Sequence, residues 1–221
     1  SGAHMGDRVG SFVSNIGDFN NDGVDDIVIG AWSASLAYEE IAYVIYGNSN
    51  GVSDIDLANL LPTQGFKIFA SEVGRNTGSS ASGAGDVNGD GIPDMIFGDE
   101  LSYPHNRTDA GAAFVIYGKS GGLNDIDLTY LLPTQGFNIS GATSGDYTGS
   151  SVSNLVDING DEIDDIIIGA YYASLNGRDR AGAAYVIYGK LGGLNNIDLA
   201  YLPSEQGFKI KKIWCAVDCG I

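Results

Sequence analysis

The sequence predicts an all-β protein built from β-propeller blades, each a sheet of four antiparallel strands. Three observations carry that prediction. A nine-residue acidic loop occurs three times, as Asp18-Phe-Asn20-Asn-Asp22-Gly-Val-Asp-Asp26, Asp86-Val-Asn88-Gly-Asp90-Gly-Ile-Pro-Asp94 and Asp157-Ile-Asn159-Gly-Asp161-Glu-Ile-Asp-Asp165. The loops are spaced 68 and 71 residues apart. Around each of them the same short pieces recur in the same order. Self-similarity at a fixed period well above 20 residues marks a radial or linear array, and four short strands in roughly 70 residues is the content of one propeller blade.

The elements follow in order within each unit. A Gly-Ser piece precedes the loop: Gly10–Ser14, Gly78–Ser82 and Gly149–Ser153. A nearly all-apolar piece follows it: Asp26–Gly30, Asp94–Gly98 and Asp165–Gly169. Such a run, without polar alternation, predicts a strand buried on both faces, between neighbouring blades. The third strand is Ala42–Gly47, Ala113–Gly118 and Ala184–Gly189. An Asp-Ile-Asp-Leu or Asn-Ile-Asp-Leu stretch comes next, with Leu-rich segments at 57–61, 128–132 and 199–202 that suit one short helical turn each. The unit closes on Gly65–Ile68, Gly136–Ile139 and Gly207–Ile210. Each strand piece is short, often β-branched or aromatic, and bounded by Gly, Asn or Asp. No segment sustains a helical period.

The loop itself points to a hard cation. Oxygen-bearing side chains fall at loop positions 1, 3, 5 and 9 every time, and Ca²⁺ takes six to eight oxygen ligands. A plain hairpin turn would explain Asp22-Gly23 and Asp90-Gly91. It would not require acids at positions 1 and 9 in three copies. The expected ligands are Asp18, Asn20, Asp22 and Asp26 with the Val24 carbonyl, then Asp86, Asn88, Asp90 and Asp94 with the Ile92 carbonyl. The third set is Asp157, Asn159, Asp161 and Asp165 with the Ile163 carbonyl. Up to three Ca²⁺ are expected, one per unit. Glu162 replaces the glycine of position 6, where the backbone needs a positive φ, at a cost of about 1 kcal/mol. The third site is therefore expected to be the weakest. A catalytic metal needs an open coordination position and a nearby acid or base. These loops offer a nearly complete oxygen cage and no histidine, so a structural staple is the expected role.

The run Gly-Ser-x-Val-Ser, Asp-x-Asn-x-Asp-Gly, Asp-Ile-Ile-Ile-Gly-Ala resembles the FG-GAP repeat of the integrin alpha-subunit β-propeller and its bacterial relatives. The match extends from about Val9 to Ile210, in three copies in phase. The resemblance implies that each acidic loop joins the first two strands of a blade and holds one Ca²⁺. It also implies, loosely, that the face opposite the acidic loops carries a ligand, since fold alone does not fix function.

Composition narrows the classes of partner. The chain has 221 residues, 43% of them hydrophobic, with 33 Gly, 5 Pro and a net charge of −17. That length supports a sizeable core. Phosphate binding needs clustered Lys and Arg, so no nucleic-acid partner is expected. No apolar run approaches a membrane span, so direct membrane insertion is not expected either. Residues 1–5, Ser-Gly-Ala-His-Met, look like an expression-tag remnant. The units are then 6–70, 71–140 and 141–210, followed by a non-repeat tail at 211–221 that holds Cys215 and Cys219. The stretch Gly118-Lys119-Ser120 mimics a phosphate loop but follows a strand, opens no helix and has Ala113 where a glycine is required, which makes it a turn. Asn106 and Asn138 fit glycosylation sequons, with Asn138 in a strand.

Binding is expected on the loops that differ most between units, at 31–41, 71–78, 99–111, 141–149 and 171–182. They hold Trp32, Tyr38, Tyr103, His105, Arg107, Tyr147, Tyr171, Tyr172, Arg178 and Arg180. Aromatic and Arg side chains over a rigid scaffold suit recognition. Capping the blade core is the competing role for the aromatics. Asp109 and Asp179 lie near Arg107 and Arg178 in sequence, as loop-holding surface pairs. The expected function is a calcium-binding module for extracellular protein recognition or adhesion, with no enzymatic activity. The alternatives are a lectin-like propeller, or an accessory domain of a polysaccharide-acting enzyme. The expected home is extracellular, periplasmic or on the cell surface, where Ca²⁺ is abundant. Three blades are too few to close a ring. The expectation is a homodimer of six blades, or further blades in a longer protein.

Overall fold

The computed structural model describes residues 8–31, 40–69, 80–174 and 178–211. Trp32, Tyr38, the segment 71–78, Cys215 and Cys219 lie outside the described residues.

The chain forms three sheets. The first contains β1 (Val9–Gly17), β2 (Asp26–Ala31), β3 (Glu40–Ile45) and β4 (Gly65–Phe69), joined in that order as antiparallel neighbours. The second runs β5 (Ser80–Gly85), β6 (Asp94–Asp99), β7 (Ala112–Ile116) and β9 (Gly136–Ser140). The third runs β10 (Thr148–Val156), β11 (Asp165–Ala170), β12 (Ala183–Ile187) and β14 (Gly207–Ile210). The fold is thus all-β, with antiparallel sheets of four meandering strands whose spans match the recurring sequence pieces. The Leu-rich segments form single 3-10 turns at Leu57–Asn59, Leu128–Tyr130 and Leu199–Tyr201. Each turn is capped by the preceding aspartate, whose side chain accepts from the amide two residues on.

One feature of the topology has no counterpart in the strand expectations. After the third strand of the second repeat, the short strand β8 (Ile126–Asp127) leaves its own sheet and pairs in parallel with β4 of the first. In the same way β13 (Ile197–Asp198) of the third repeat pairs with β9 of the second. The Asp-Ile-Asp-Leu stretch is therefore a clasp onto the preceding repeat.

Two cores lie between the sheets. Val28, Val44, Phe66 and Ile68 face Met95, Phe97, Phe114 and Ile116. Ile96, Val115, Phe137 and Ile139 face Ile166, Ile168, Tyr185 and Ile187. Each such side chain contributes about 1.5–3 kcal/mol when fully buried. The second strand of each repeat was expected to be buried on both faces. That holds in full for β6, where all six residues are buried, because it lies between two cores. It fails in part for β2, where Ile27 is exposed, since among the described residues no sheet covers that side.

The glycine that opens the last strand of each repeat is fixed by contact. Gly65, Gly136 and Gly207 have φ of 150°, 152° and 154°, and a Cβ there would sit 1.9, 1.9 and 2.1 Å from the carbonyl oxygens of Val44, Val115 and Val186. Backbone cannot yield as a flexible side chain can. Gly136→Ala should therefore lower the unfolding free energy by about 2–3 kcal/mol, the upper range for single substitutions. Equilibrium denaturation in urea checks this, and a change within a few tenths of a kcal/mol would contradict it.

Candidate metal loops and recognition face

The three acidic loops connect the first two strands of their sheets: β1 to β2, β5 to β6 and β10 to β11. Two left-handed residues shape each loop. Position 4 is Asn21 (φ 56°), Gly89 (φ 71°) or Gly160 (φ 84°), and position 6 is Gly23 (φ 90°), Gly91 (φ 87°) or Glu162 (φ 70°). Glu162 thus adopts the backbone that the sequence comparison required of it, so the third loop keeps the shape of the others at some local strain.

The side chains are organised by the loop's own amides. Asp18 accepts from Asp22 N and Gly23 N, both at 2.8 Å. Asp86 accepts from Asp90 N at 3.0 Å and Gly91 N at 2.7 Å. Asp157 accepts from Asp161 N at 3.2 Å and Glu162 N at 2.9 Å, and these bonds hold its carboxyl below the usual range. At position 5, Asp22, Asp90 and Asp161 accept from the amides of Val24, Ile92 and Ile163 at 3.0, 2.9 and 3.0 Å. Position 3 is less uniform. Asn88 and Asn159 accept from Asp90 N and Asp161 N at 2.8 and 2.9 Å. Asn20 Oδ1 is buried with no hydrogen-bond donor.

Position 9 does something the sequence did not reveal. Asp26, Asp94 and Asp165 are completely buried. One oxygen of each accepts from an amide near the start of the loop: Asn20 N, at position 3, at 3.1 Å, and Val87 N and Ile158 N, at position 2, at 3.0 and 2.9 Å. The other accepts from the glycine after the third strand: Gly47 N at 2.8 Å, Gly118 N at 2.8 Å and Gly189 N at 2.9 Å. Desolvation pushes Asp26 up to about 6 and Asp94 up to about 8, against the lowering effect of these bonds, with a smaller push from the neighbouring acids. Asp165 is raised for the same first cause.

Among the described residues, no three acidic, histidine or cysteine side chains are gathered into a ready-made metal cluster. The loops nonetheless fit a cation chemically. Each presents only oxygen donors, and the buried Asn20 Oδ1 is an acceptor without a donor, which is uncommon in a folded interior.

At the other end of the sheets lie the loops between second and third strands and those between repeats. Tyr147, Tyr171 and Tyr172 come together there. Their ring centroids are 5.7 Å (Tyr147–Tyr171), 5.3 Å (Tyr147–Tyr172) and 4.7 Å (Tyr171–Tyr172) apart. The Arg180 guanidinium lies 4.9 Å from the Tyr172 ring centre. Tyr171 is exposed, and Tyr147 and Tyr172 are half-buried. Backbone strain concentrates on the same loops. His105, Asn106, Asp109, Tyr147 and Arg180 all have φ between 52° and 60°. Ordered loops hold such residues only when surrounding contacts impose them. Here Tyr147 N, Thr148 N and Gly145 N donate to the carbonyls of Asp109, Ala110 and Thr108 and zip two loops together.

The remaining candidates are placed differently. Tyr103 is exposed beside the 3-10 turn Pro104–Asn106, an element absent from the sequence reading. Arg107 is committed: it makes a bidentate pair with Asp198, two bonds of 2.7 Å, and donates to Gly141 O at 2.7 Å. His105 lies 3.8 Å from the same Asp198. The pairing of Arg107 with Asp109 expected from sequence is thus replaced by a partner 91 residues away. Asp179 pairs with Arg180 at 3.8 Å. Arg178 is half-buried.

Comparison with known proteins agrees with this architecture. Residues 148–187 match the FG-GAP repeat. The chain is 29% identical over 168 residues to human phosphatidylinositol-glycan-specific phospholipase D, covering 74% of this chain and 19% of that protein. It is 26% identical over 173 residues to integrin alpha-4 of Xenopus laevis, covering 77% of this chain and 15% of that one. It is 28% identical over 193 residues to integrin alpha pat-2 of Caenorhabditis elegans, covering 82% and 14% respectively. The chain therefore spans less than a fifth of the length of each of these relatives.

The buried carboxyls set a pH dependence whose sign can be worked out. Their folded-state values lie above the ordinary 3.8. The stability that comes from holding those protons is complete below about pH 4 and is lost as pH rises through about 6 for Asp26 and about 8 for Asp94. With a chelator present, the urea midpoint should fall between pH 5 and pH 9. With excess Ca²⁺ the fall should shrink or reverse, because a bound cation replaces the proton's stabilising effect. A midpoint that rises with pH in chelator would refute this.

Proposed function

We propose that this FG-GAP repeat protein of the integrin-alpha-like family is a calcium-stapled recognition module, built to bind a protein ligand outside the cytoplasm. The observation that carries the reading is the cluster of Tyr147, Tyr171, Tyr172 and Arg180 on strained, mutually bonded loops at the end of the sheets away from the acidic loops. Tyr and Arg dominate the energetics of protein interfaces, because they combine large contact area with few lost rotamers or with a planar set of donors. A rigid platform loses little entropy on binding.

In this reading each sheet is a propeller blade and each acidic loop holds one Ca²⁺. Asp18, Asn20, Asp22, Asp26 and the Val24 carbonyl would supply the first site, Asp86, Asn88, Asp90, Asp94 and the Ile92 carbonyl the second, and Asp157, Asn159, Asp161, Asp165 and the Ile163 carbonyl the third. The cation would neutralise carboxylates that otherwise repel one another across a short loop. It would also lock the hairpin that begins each blade. Loops of moderate affinity fill where calcium is abundant, which favours an extracellular, periplasmic or cell-surface home. No helix among the described residues is long and apolar enough to cross a membrane. Binding is favoured over catalysis because the loops leave no evident open coordination position and carry no histidine. The likeness to the phospholipase D covers 19% of that protein.

A carbohydrate ligand is the second reading. It is favoured by Tyr171, whose exposed ring stands at the edge of the cluster and offers a face on which a sugar can stack.

Two measurements test the proposal. Calorimetric titration of chelated protein should show up to three Ca²⁺ bound, and chelation should lower the melting temperature by mass action. A melting temperature indifferent to calcium would remove the staple. Separately, the wild type and a Tyr171→Ala/Arg180→Ala variant should be applied to arrays of extracellular proteins and of glycans. Protein binding that the variant loses supports the first reading. Binding to glycans alone favours the second, and binding that the variant retains rules out this face.

A further inference from the structure

The second sheet meets the first, and the third meets the second, in the same way at the end that carries the acidic loops. Leu123 N donates to the Tyr46 hydroxyl and Leu194 N to the Tyr117 hydroxyl, both at 2.9 Å. Lys119 N and Gly121 N donate to the carbonyls of Phe19 and Asn20, and Lys190 N and Gly192 N to those of Val87 and Asn88. At the opposite end the two joints differ.

There the third repeat buries a polar set. Asp146, in the connection from β9 to β10, is 3% exposed, and Tyr185 of β12 is 1% exposed. The Tyr185 hydroxyl is buried without a hydrogen-bond partner. Lys209 of β14 is half-buried, with Nζ 4.8 Å from the centre of the Tyr185 ring. Burial raises the Asp146 carboxyl and lowers the Lys209 ammonium, and each group opposes that shift in the other. Aligned on the recurring pieces, the set is Asp146, Tyr185 and Lys209 in the third repeat and Asp7, Tyr43 and Lys67 in the first. In the second it becomes Arg75, Phe114 and Asn138. All three positions change at once, as positions that act as one unit do. The second repeat packs on the first with Phe114 in the shared core, so a joint of this kind forms without the polar set. Buried charge is costly to desolvate, and here it is kept where apolar packing serves the neighbouring joint.

Asp146 reaches both loops of the tyrosine cluster. Its carboxylate accepts from the amides of Ser174 and Thr143, and its carbonyl accepts from Tyr172 N at 3.4 Å. Ser174 directly follows Tyr171-Tyr172-Ala173, and Tyr147 directly follows Asp146. We propose that Asp146 is the positioning residue of the tyrosine cluster: its carboxylate, balanced by Lys209, ties the loop of Tyr171 and Tyr172 to Tyr147 and fixes how the rings meet. For recognition, which rests on the reading of this face given above, the consequence is a platform whose shape is set from beneath.

Nitration of the full chain by tetranitromethane, without any ligand, reads that arrangement, with each tyrosine followed by peptide mass. In the wild type Tyr171 should react fast, and Tyr147 and Tyr172 slowly. Asp146→Ala should raise the rates at Tyr147 and Tyr172 several-fold and weaken the tyrosine signal in near-ultraviolet circular dichroism. Tyr43 and Tyr117, buried elsewhere in the fold, should stay unreactive. Lys209→Met strips the carboxylate of its cation and should raise the same two rates by a smaller factor, which keeps the test open where Asp146→Ala does not fold. Unchanged rates at Tyr147 and Tyr172 in Asp146→Ala, or in Lys209→Met where the first variant does not fold, would overturn the inference. So would an equal rise at Tyr43 and Tyr117, which marks general loosening. The array measurement with Tyr171→Ala/Arg180→Ala succeeds or fails separately, since it asks what the face binds and nitration asks what holds it.

Discussion

The buried carboxylate at the end of each acidic loop holds the rest of the structure in place. Asp26, Asp94 and Asp165 each join three pieces of chain: the start of the loop, the start of the second strand and the turn after the third. A buried acid with two backbone donors is expensive to desolvate and correspondingly costly to lose. It fixes the loop against the sheet, and it fixes the turn whose amides bond the neighbouring repeat's loop. Strand order, loop shape and repeat-to-repeat contact all pass through that one side chain.

The same arrangement explains how so acidic a loop keeps a defined shape. The carboxylates at positions 1 and 5 accept from amides of their own loop, so much of their hydrogen-bonding demand is met by local backbone. Preorganisation of this kind would reduce the ordering that a bound cation has to impose, and burial makes position 9 the group whose charge is least tolerated.

The strands, the acidic loops and the 3-10 turns were legible in the sequence because each is local and spelled out three times. Gly65, Gly136 and Gly207 announce a strand start by composition, and Glu162 announces its backbone by replacing a glycine. The clasp strands were not legible. Ile126-Asp127 and Ile197-Asp198 are too short to carry a period, and their partners belong to the preceding repeat. The pair Arg107–Asp198 was hidden for the same reason: a nearer acid, Asp109, was the natural guess, and only the clasp brings Asp198 within reach. The tyrosine cluster lay between these cases. Its members were visible as aromatics in variable loops, but the meeting of Tyr147 with Tyr171 and Tyr172 depends on loops held together by bonds among backbone atoms.

The clasp has a consequence for how such chains grow. Each unit of roughly 70 residues carries an inserting half at one place and a receiving half at another, so no joint belongs wholly to a single unit. Duplicating one unit in tandem therefore supplies a complete new joint without a single new substitution, because the added copy inserts into its predecessor and receives its successor. Lengthening or shortening the array by whole units leaves the two end surfaces unchanged in kind. A lineage that gains or loses repeats by unequal recombination would thus keep matching ends at every length, and selection would be left to act on the loops that differ.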